Sequence, residues 1–186
     1  MYDVLMIDPP WPVAKIESNL RPNQTKALDY PVLSVPGCFD LLDSEVLCLA
    51  VPMHTVFMWT TEKYLVDTEL AMIARGYRRH ARFVWDKGNG SVAPTAMTVR
   101  WAHEYLIWYY KPKFQPIALG ARGKFRTIIR EKSREHSRKP DAAYWMIEEL
   151  YPDARRIDVF SREARPGWDQ WGNEPQRNTH QMRLAL

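Results

Sequence analysis

Long apolar runs are missing from this chain of 186 residues. No stretch approaches the roughly 20 residues that a membrane-spanning helix needs, and the start, Met1 to Asp8, is too short and too acidic for a secretory signal. A cytoplasmic setting is expected. Cysteine is nearly absent: Cys38 and Cys48 stand in neither a CxxC nor a metal-ligand spacing, which excludes a disulfide framework and leaves reduced thiols. His54, His80, His103, His136 and His180 never fall at i, i+3 or i+4, so no metal site is expected. Internal repeats and low-complexity tracts are also missing, which argues against a disordered or fibrous chain.

What is present is 46% hydrophobic and 26% charged residues, the composition of a folded domain, at a length that suits one domain rather than two. The net charge of +4 is unevenly spread: Lys111 to Lys139 holds ten Lys or Arg against Glu131 and Glu135, a local excess of +8. A solvated charged face is the plain reading of such a run. Phe114, Phe125 and His136 interleave with it, however, which suits a polyanion surface, so nucleic acid is the expected partner. No long amphipathic helix with a basic face accompanies it, and membrane binding is not expected.

Residues 2–7 are apolar and stopped by Pro9-Pro10, the pattern of a buried strand. Further strands are expected at 55–60, 81–86, 104–110, 125–129 and 156–160. Leu42, Val46 and Leu49 predict a short amphipathic helix, and Val66, Leu70, Ile73 and Tyr77 repeat the helical spacing and predict another, ended by Gly76. Pro140 and Asp141 open a third helix, with Ala143, Met146, Ile147 and Leu150 as its buried stripe. Strands alternating with such helices predict an α/β fold with a mostly parallel sheet, whose ligands sit at the carboxyl ends of strands. That rule selects Asp8 to Trp11 and Ser161-Arg162. Residues 12–29 and 88–99 are expected to be loops that close over the site.

Asp8-Pro9-Pro10-Trp11 is the most informative tetrapeptide, although a strand-ending turn would explain it too. Two successive prolines fix the backbone and remove two N–H donors, leaving carbonyls as the polar groups there. A carboxylate plus a proline carbonyl can accept both hydrogens of an amino group, and an indole beside them offers a face on which a nucleobase stacks. Such a site suits an exocyclic amine.

The tetrapeptide resembles the catalytic motif of amino-group methyltransferases that use S-adenosylmethionine. With Trp11 it resembles most the adenine-N(6) methyltransferase family that includes the mRNA adenosine methyltransferase and its bacterial and phage relatives. The likeness continues in the family's order through Tyr30 to Ser34, Phe57-Met58-Trp59, Gly76-Tyr77, Val84-Trp85-Asp86-Lys87 and Trp101-Ala102-His103-Glu104. It then takes in His136 to Asp141, Asp158-Val159-Phe160-Ser161-Arg162, and Gly167 to Glu174.

This resemblance implies a single Rossmann-like domain over residues 1–174, permuted so that the catalytic motif precedes the cofactor-binding strand, with helices on both faces and a tail at 175–186. It implies S-adenosylmethionine as cofactor and a catalytic loop of Asp8, Pro9, Pro10 and Trp11. Asp8 would also lie near the methionine end, Lys139 would contact the methionine carboxylate, and Arg162, Asn173 and Glu174 would hold the ribose. Trp11, Tyr30, Lys87, Glu104 and Arg138 fall on the substrate side. Family members of the eukaryotic kind contact the cofactor adenine through an upstream Asp-containing segment; here the chain begins at Met1, so that contact is expected from elsewhere.

The expected function is methyl transfer to N(6) of adenine in nucleic acid, DNA before RNA because no accessory domain is visible. The alternatives are an RNA enzyme, or a non-catalytic nucleic-acid-binding subunit, whose signature would be a damaged Asp-Pro-Pro-Trp or a missing lysine. Gly88-x-Gly90-x-x-Ala93 fits a loose dinucleotide fingerprint but opens no helix, and is read as a loop.

Overall fold

The computed structural model describes residues 1–12, 33–91, 101–134, 138–161 and 163–172. Its centre is a seven-stranded sheet: β1 (Tyr2–Ile7), β2 (Ala50–Thr60), β3 (Arg78–Ser91), β4 (Trp101–Lys111), β5 (Ile128–Arg130), β6 (Arg156–Val159) and β7 (Asp169–Trp171). The order across the sheet is β5-β3-β4-β2-β1-β6-β7. β1 runs parallel to both β2 and β6, β6 to β7, and β3 to β5, while β4 is antiparallel to β2 and β3. The expected α/β architecture is thus present, a Rossmann-like mixed sheet that is mostly parallel.

Three helices cover it: α1 (Val35–Leu41), continued by a π turn at Leu42–Val46, α2 (Leu65–Ala74) and α3 (Asp141–Leu150). Ser34 starts α1 by accepting the Gly37 N–H at 3.1 Å on its hydroxyl, and Pro36 in the first turn fits there because its missing N–H would have had no helical partner. Alternation along the strands then sorts the core into two layers. Val4, Met6, Phe57, Trp59, Leu106 and Trp108 face α3, whereas Leu5, Ile7, Val56, Met58, Ile107 and Tyr109 face α1 and α2. Asp158 pairs in register with Met6 and so points into the α3 layer.

The structure differs from the sequence pattern at several points. In α2 the aliphatic stripe points outward: Val66, Leu70 and Ile73 are exposed, and the buried positions are Thr68 and Met72. Thr68 is tolerated inside because its hydroxyl donates to the Tyr64 carbonyl at 2.6 Å and meets the Thr60 hydroxyl at 3.0 Å. Gly88 and Gly90 belong to β3, not to a loop, since pairing with β4 resumes at Ser91 after an irregularity beside Gly88, whose φ of +79° suits glycine. The strand expected at 125–129 begins at Ile128, and β7 has no counterpart in the expectations. The segments 13–32 and 92–100, which hold most of both closing loops, and the tail at 175–186 lie outside the described residues.

Candidate active site

Parallel pairing brings the carboxyl ends of β1 and β6 side by side. Asp8 follows directly after β1 and its N–H donates to the Val159 carbonyl at 3.1 Å, which fixes the start of the Pro9-Pro10 turn against β6. The turn closes on itself: the Trp11 N–H donates to the Pro9 carbonyl at 2.8 Å. Among the described residues that carbonyl accepts no second bond, and its other lone pair can take another donor. Past the end of β6, Phe160 has a φ of +64°, uncommon for a side chain of this size and costing on the order of 1 kcal/mol or more. A bond from its N–H to the Trp171 carbonyl at 2.7 Å holds the bend.

Lys139 stands two residues before α3 and reaches over these strand tips. Its Nζ lies 3.0 Å from Asp8 Oδ1 and 2.9 Å from Glu104 Oε2, and 5.3 Å from the centre of the Trp59 ring. Burial alone would lower the lysine's affinity for its proton; the charges of Asp8 and Glu104 reverse that and hold it above the ordinary lysine range. Burial also works to raise Glu104, yet Lys139 and Lys87 outweigh it and keep the carboxyl below its usual range. Lys87 pairs with the second Glu104 oxygen and lies 5.0 Å from the Trp85 ring centre. Asp8, Lys139, Glu104 and Lys87 therefore form one alternating chain of charges across β1, the approach to α3, β4 and β3.

Asp158 is the residue that sequence reasoning missed. It is 1% exposed, its Oδ2 accepts from the Tyr144 hydroxyl at 2.8 Å, and its Oδ1 has no partner among the described residues. Burial pushes its carboxyl up to about 7 despite the Tyr144 bond and the nearby Ser161 hydroxyl, and the charge of Asp8 adds to the rise. The signal was available: a single acid between Ile157 and Val159, near the carboxyl end of β6.

Glu131 was likewise overlooked. Its two oxygens accept the N–H groups of Asp141 and Ala142 at 3.1 and 2.9 Å, so a carboxylate from just past β5 caps the helix that Lys139 precedes. Arg134 bridges Glu131 at 2.8 Å to Asp141, and Arg165 joins Asp141 at 2.7 Å. The Arg134 bond and then the Arg165 bond hold the Asp141 carboxyl well below the usual carboxylate range.

Other expected residues fall elsewhere. Trp11 is buried: its indole N–H donates to the Trp59 carbonyl at 3.2 Å, and Tyr64 stacks on it at 5.3 Å. The expectation of an open indole face is corrected accordingly, because the ring is spent on packing the Pro9-Pro10 turn against β2. Arg138 pairs with Glu163 at 2.8 Å and does not join the Asp8 chain. Tyr30, Arg162, Asn173 and Glu174 lie outside the described residues.

This donor set fits the amino-acid end of S-adenosylmethionine. Lys139 uses two of its three N–H groups on Asp8 and Glu104, leaving one for a carboxylate. The orphaned, buried Asp158 Oδ1 is an acceptor that an ammonium would satisfy.

The MT-A70 family model matches residues 2–174. The chain is 27% identical over 190 residues to the Type II methyltransferase M.MunI of a Mycoplasma species, covering 93% of this chain and 77% of that protein. It is 27% identical over 183 residues to the human N(6)-adenosine-methyltransferase catalytic subunit METTL3, and 26% over 185 residues to an MT-A70-like N(6)-adenosine-methyltransferase of Arabidopsis thaliana. Each of these two alignments covers 93% of this chain, which spans about a quarter of those longer relatives (28% and 24%). With a family model covering nearly its whole length, the chain belongs to the MT-A70 family of S-adenosylmethionine-dependent adenine-N(6) methyltransferases.

Proposed function

We propose that the protein methylates the exocyclic N(6) amino group of adenine in nucleic acid, with Asp8 and the Pro9 carbonyl as the groups that hold the amine. The observation that carries this reading is the Asp8–Lys139 contact of 3.0 Å at the tips of β1 and β6, beside the unpartnered oxygen of Asp158. Lys139 holds the methionine carboxylate and Asp158, with Asp8, the ammonium. When bound, S-adenosylmethionine supplies an electrophilic methyl group on its sulfonium.

The residues of the chain then supply position and electrostatics. The amine nitrogen is a poor nucleophile because its lone pair is delocalised into the ring. Accepting both its N–H groups, one on an Asp8 oxygen and one on the free lone pair of the Pro9 carbonyl, favours the more tetrahedral nitrogen of the transition state. No strong base is required, since the proton becomes acidic once the nitrogen is cationic. The turn formed by the two prolines and the Trp11 anchor keeps these acceptors from relaxing away from the amine.

On the polymer, the expectation of DNA is revised. Relatives such as the human and Arabidopsis proteins are named N(6)-adenosine-methyltransferases, and adenosine is the ribonucleoside, which favours RNA. DNA remains the second reading, supported by the mycoplasma Type II methyltransferase, 77% of which this chain covers. Incubation with methyl-labelled S-adenosylmethionine and separate RNA and DNA pools, followed by nucleoside mass spectrometry, tests both. Labelled N(6)-methyladenosine is the expected product, labelled N(6)-methyldeoxyadenosine would shift the reading to DNA, and label in neither would overturn the proposal.

A further inference from the structure

Trp145 lies on α3, four residues and so about 6 Å along the axis from Asp141, the first residue of the helix that Lys139 precedes. It is 50% exposed, although an indole is among the side chains with most to gain from burial. Phe125 meets it edge to face at 5.2 Å, and Lys124 Nζ sits 5.0 Å from the Trp145 ring centre and 5.6 Å from that of Phe125. Glu149, 2.7 Å from Lys124, holds that ammonium in place. Arg122, Arg126 and Arg130 come from the same segment, are exposed, and pair with no carboxylate among the described residues. None of these groups takes part in the Asp8 chain of charges.

Phe125 packs partly on the core while half of Trp145 stays open, and Lys124 sits beside both rings. The two features together have the chemistry of a surface for single-stranded nucleic acid, in which one ring takes a base face and the surrounding cations take phosphates. Position supports this reading. β5 (Ile128–Arg130) leads from the Phe125 segment to Glu131, whose carboxylate caps α3 beside Lys139, so the surface and the strand-tip crevice share the end of that helix. Trp11, the aromatic group nearest Asp8 in sequence, is buried and offers no stacking face.

We propose that Trp145, with Phe125 and Lys124, stacks an unpaired base flanking the target adenine, while Arg122, Arg126 and Arg130 bind the adjoining phosphates. This rests on the nucleic-acid reading of the crevice. The charge excess of residues 111–139 selects a polyanion over an apolar protein surface as the occupant.

The test is fluorescence anisotropy with a labelled 12-nucleotide single strand containing adenine, on the full chain and on Trp145→Ala, Trp145→Tyr and the double variant Arg122→Ala/Arg126→Ala. Calorimetric affinity for S-adenosylmethionine serves as the check on folding and on the crevice. Trp145→Ala is expected to bind the strand about tenfold more weakly, Trp145→Tyr to recover most of that loss, and all variants to bind cofactor as the parent does. The arginine variant is expected to flatten the salt dependence by about 0.7 for each phosphate it no longer neutralises. Parent-like binding by Trp145→Ala overturns this inference and leaves the proposed function intact. So does a parent that self-associates through this surface, shown by Trp145→Ala abolishing association between copies of the protein. A parent that binds no oligonucleotide and methylates none overturns both.

Discussion

Replacing Lys139 with methionine removes the cation that two carboxylates share. Its ammonium is 3.0 Å from Asp8 and 2.9 Å from Glu104, with only 10% of the side chain exposed. At an effective dielectric constant of about 20, each contact is worth roughly 5 to 6 kcal/mol of Coulomb attraction, an upper bound before the cost of burying the charges. Loss of one partner from a buried pair typically destabilises by about 3 to 5 kcal/mol. For a chain of this length that corresponds to a fall in Tm of roughly 6 to 20 °C. The deficit should depend on pH. In the parent, the depressed Glu104 contributes stability above the ordinary glutamate range, near pH 4.3, and loses it on acidification. Without Lys139, Glu104 loses the larger of the two charges that hold its carboxyl down, its folded-state proton affinity rises, and the variant regains stability as pH falls from 7 towards 5. Differential scanning fluorimetry across that range should show the gap between variant and parent narrowing. Calorimetry should show cofactor affinity at least tenfold weaker. A Tm within about 2 °C of the parent's at pH 7, with unchanged cofactor affinity, would refute the reasoning.

Glu131→Ala, which removes two charge-assisted caps at the start of α3, should cost about 1 to 2 kcal/mol by chemical denaturation and weaken cofactor binding through misplacement of Lys139, with partial recovery in Glu131→Gln. Asp158→Asn should gain Tm relative to the parent as pH rises from about 4 to 7 and level off above. The parent's raised carboxyl loses stability over that window, whereas the amide does not titrate. Trp11→Phe should keep the stack on Tyr64 but lose the bond to the Trp59 carbonyl, leaving that buried acceptor short of a donor at a cost of about 1 to 3 kcal/mol in an equilibrium melt.

Strand and helix were readable where apolar runs met hard punctuation: β1 against Pro9-Pro10, α3 behind Pro140 and ahead of Pro152. Periodicity misled in α2, because Val66, Leu70 and Ile73 satisfy a helical stripe while the face that packs includes Thr68, a polar residue whose hydroxyl is satisfied inside. Within the site, sequence singled out Asp8 and Lys139 separately, 131 positions apart, but nothing local signals that they touch; that contact comes from the parallel pairing of β1 with β6 and the placement of α3 over them. Glu104 and Lys87 were expected on the substrate side, but their pairing with each other was not legible; it follows from the antiparallel register that sets Trp85 opposite Glu104. Trp11 was legible as important but not as buried, because indole chemistry suits both stacking and packing and only the position of the Trp59 carbonyl decides between them.

Single-turnover transfer by Asp8→Asn, at saturating cofactor and oligonucleotide and with folding verified by its melt, bears most directly on the central claim. An amide in place of the carboxylate should slow the appearance of labelled N(6)-methyladenine by about 100- to 1,000-fold, the loss typical of one preorganised electrostatic contact to a transition state. A rate near the parent's would contradict the assignment of Asp8 as the group that holds the amine.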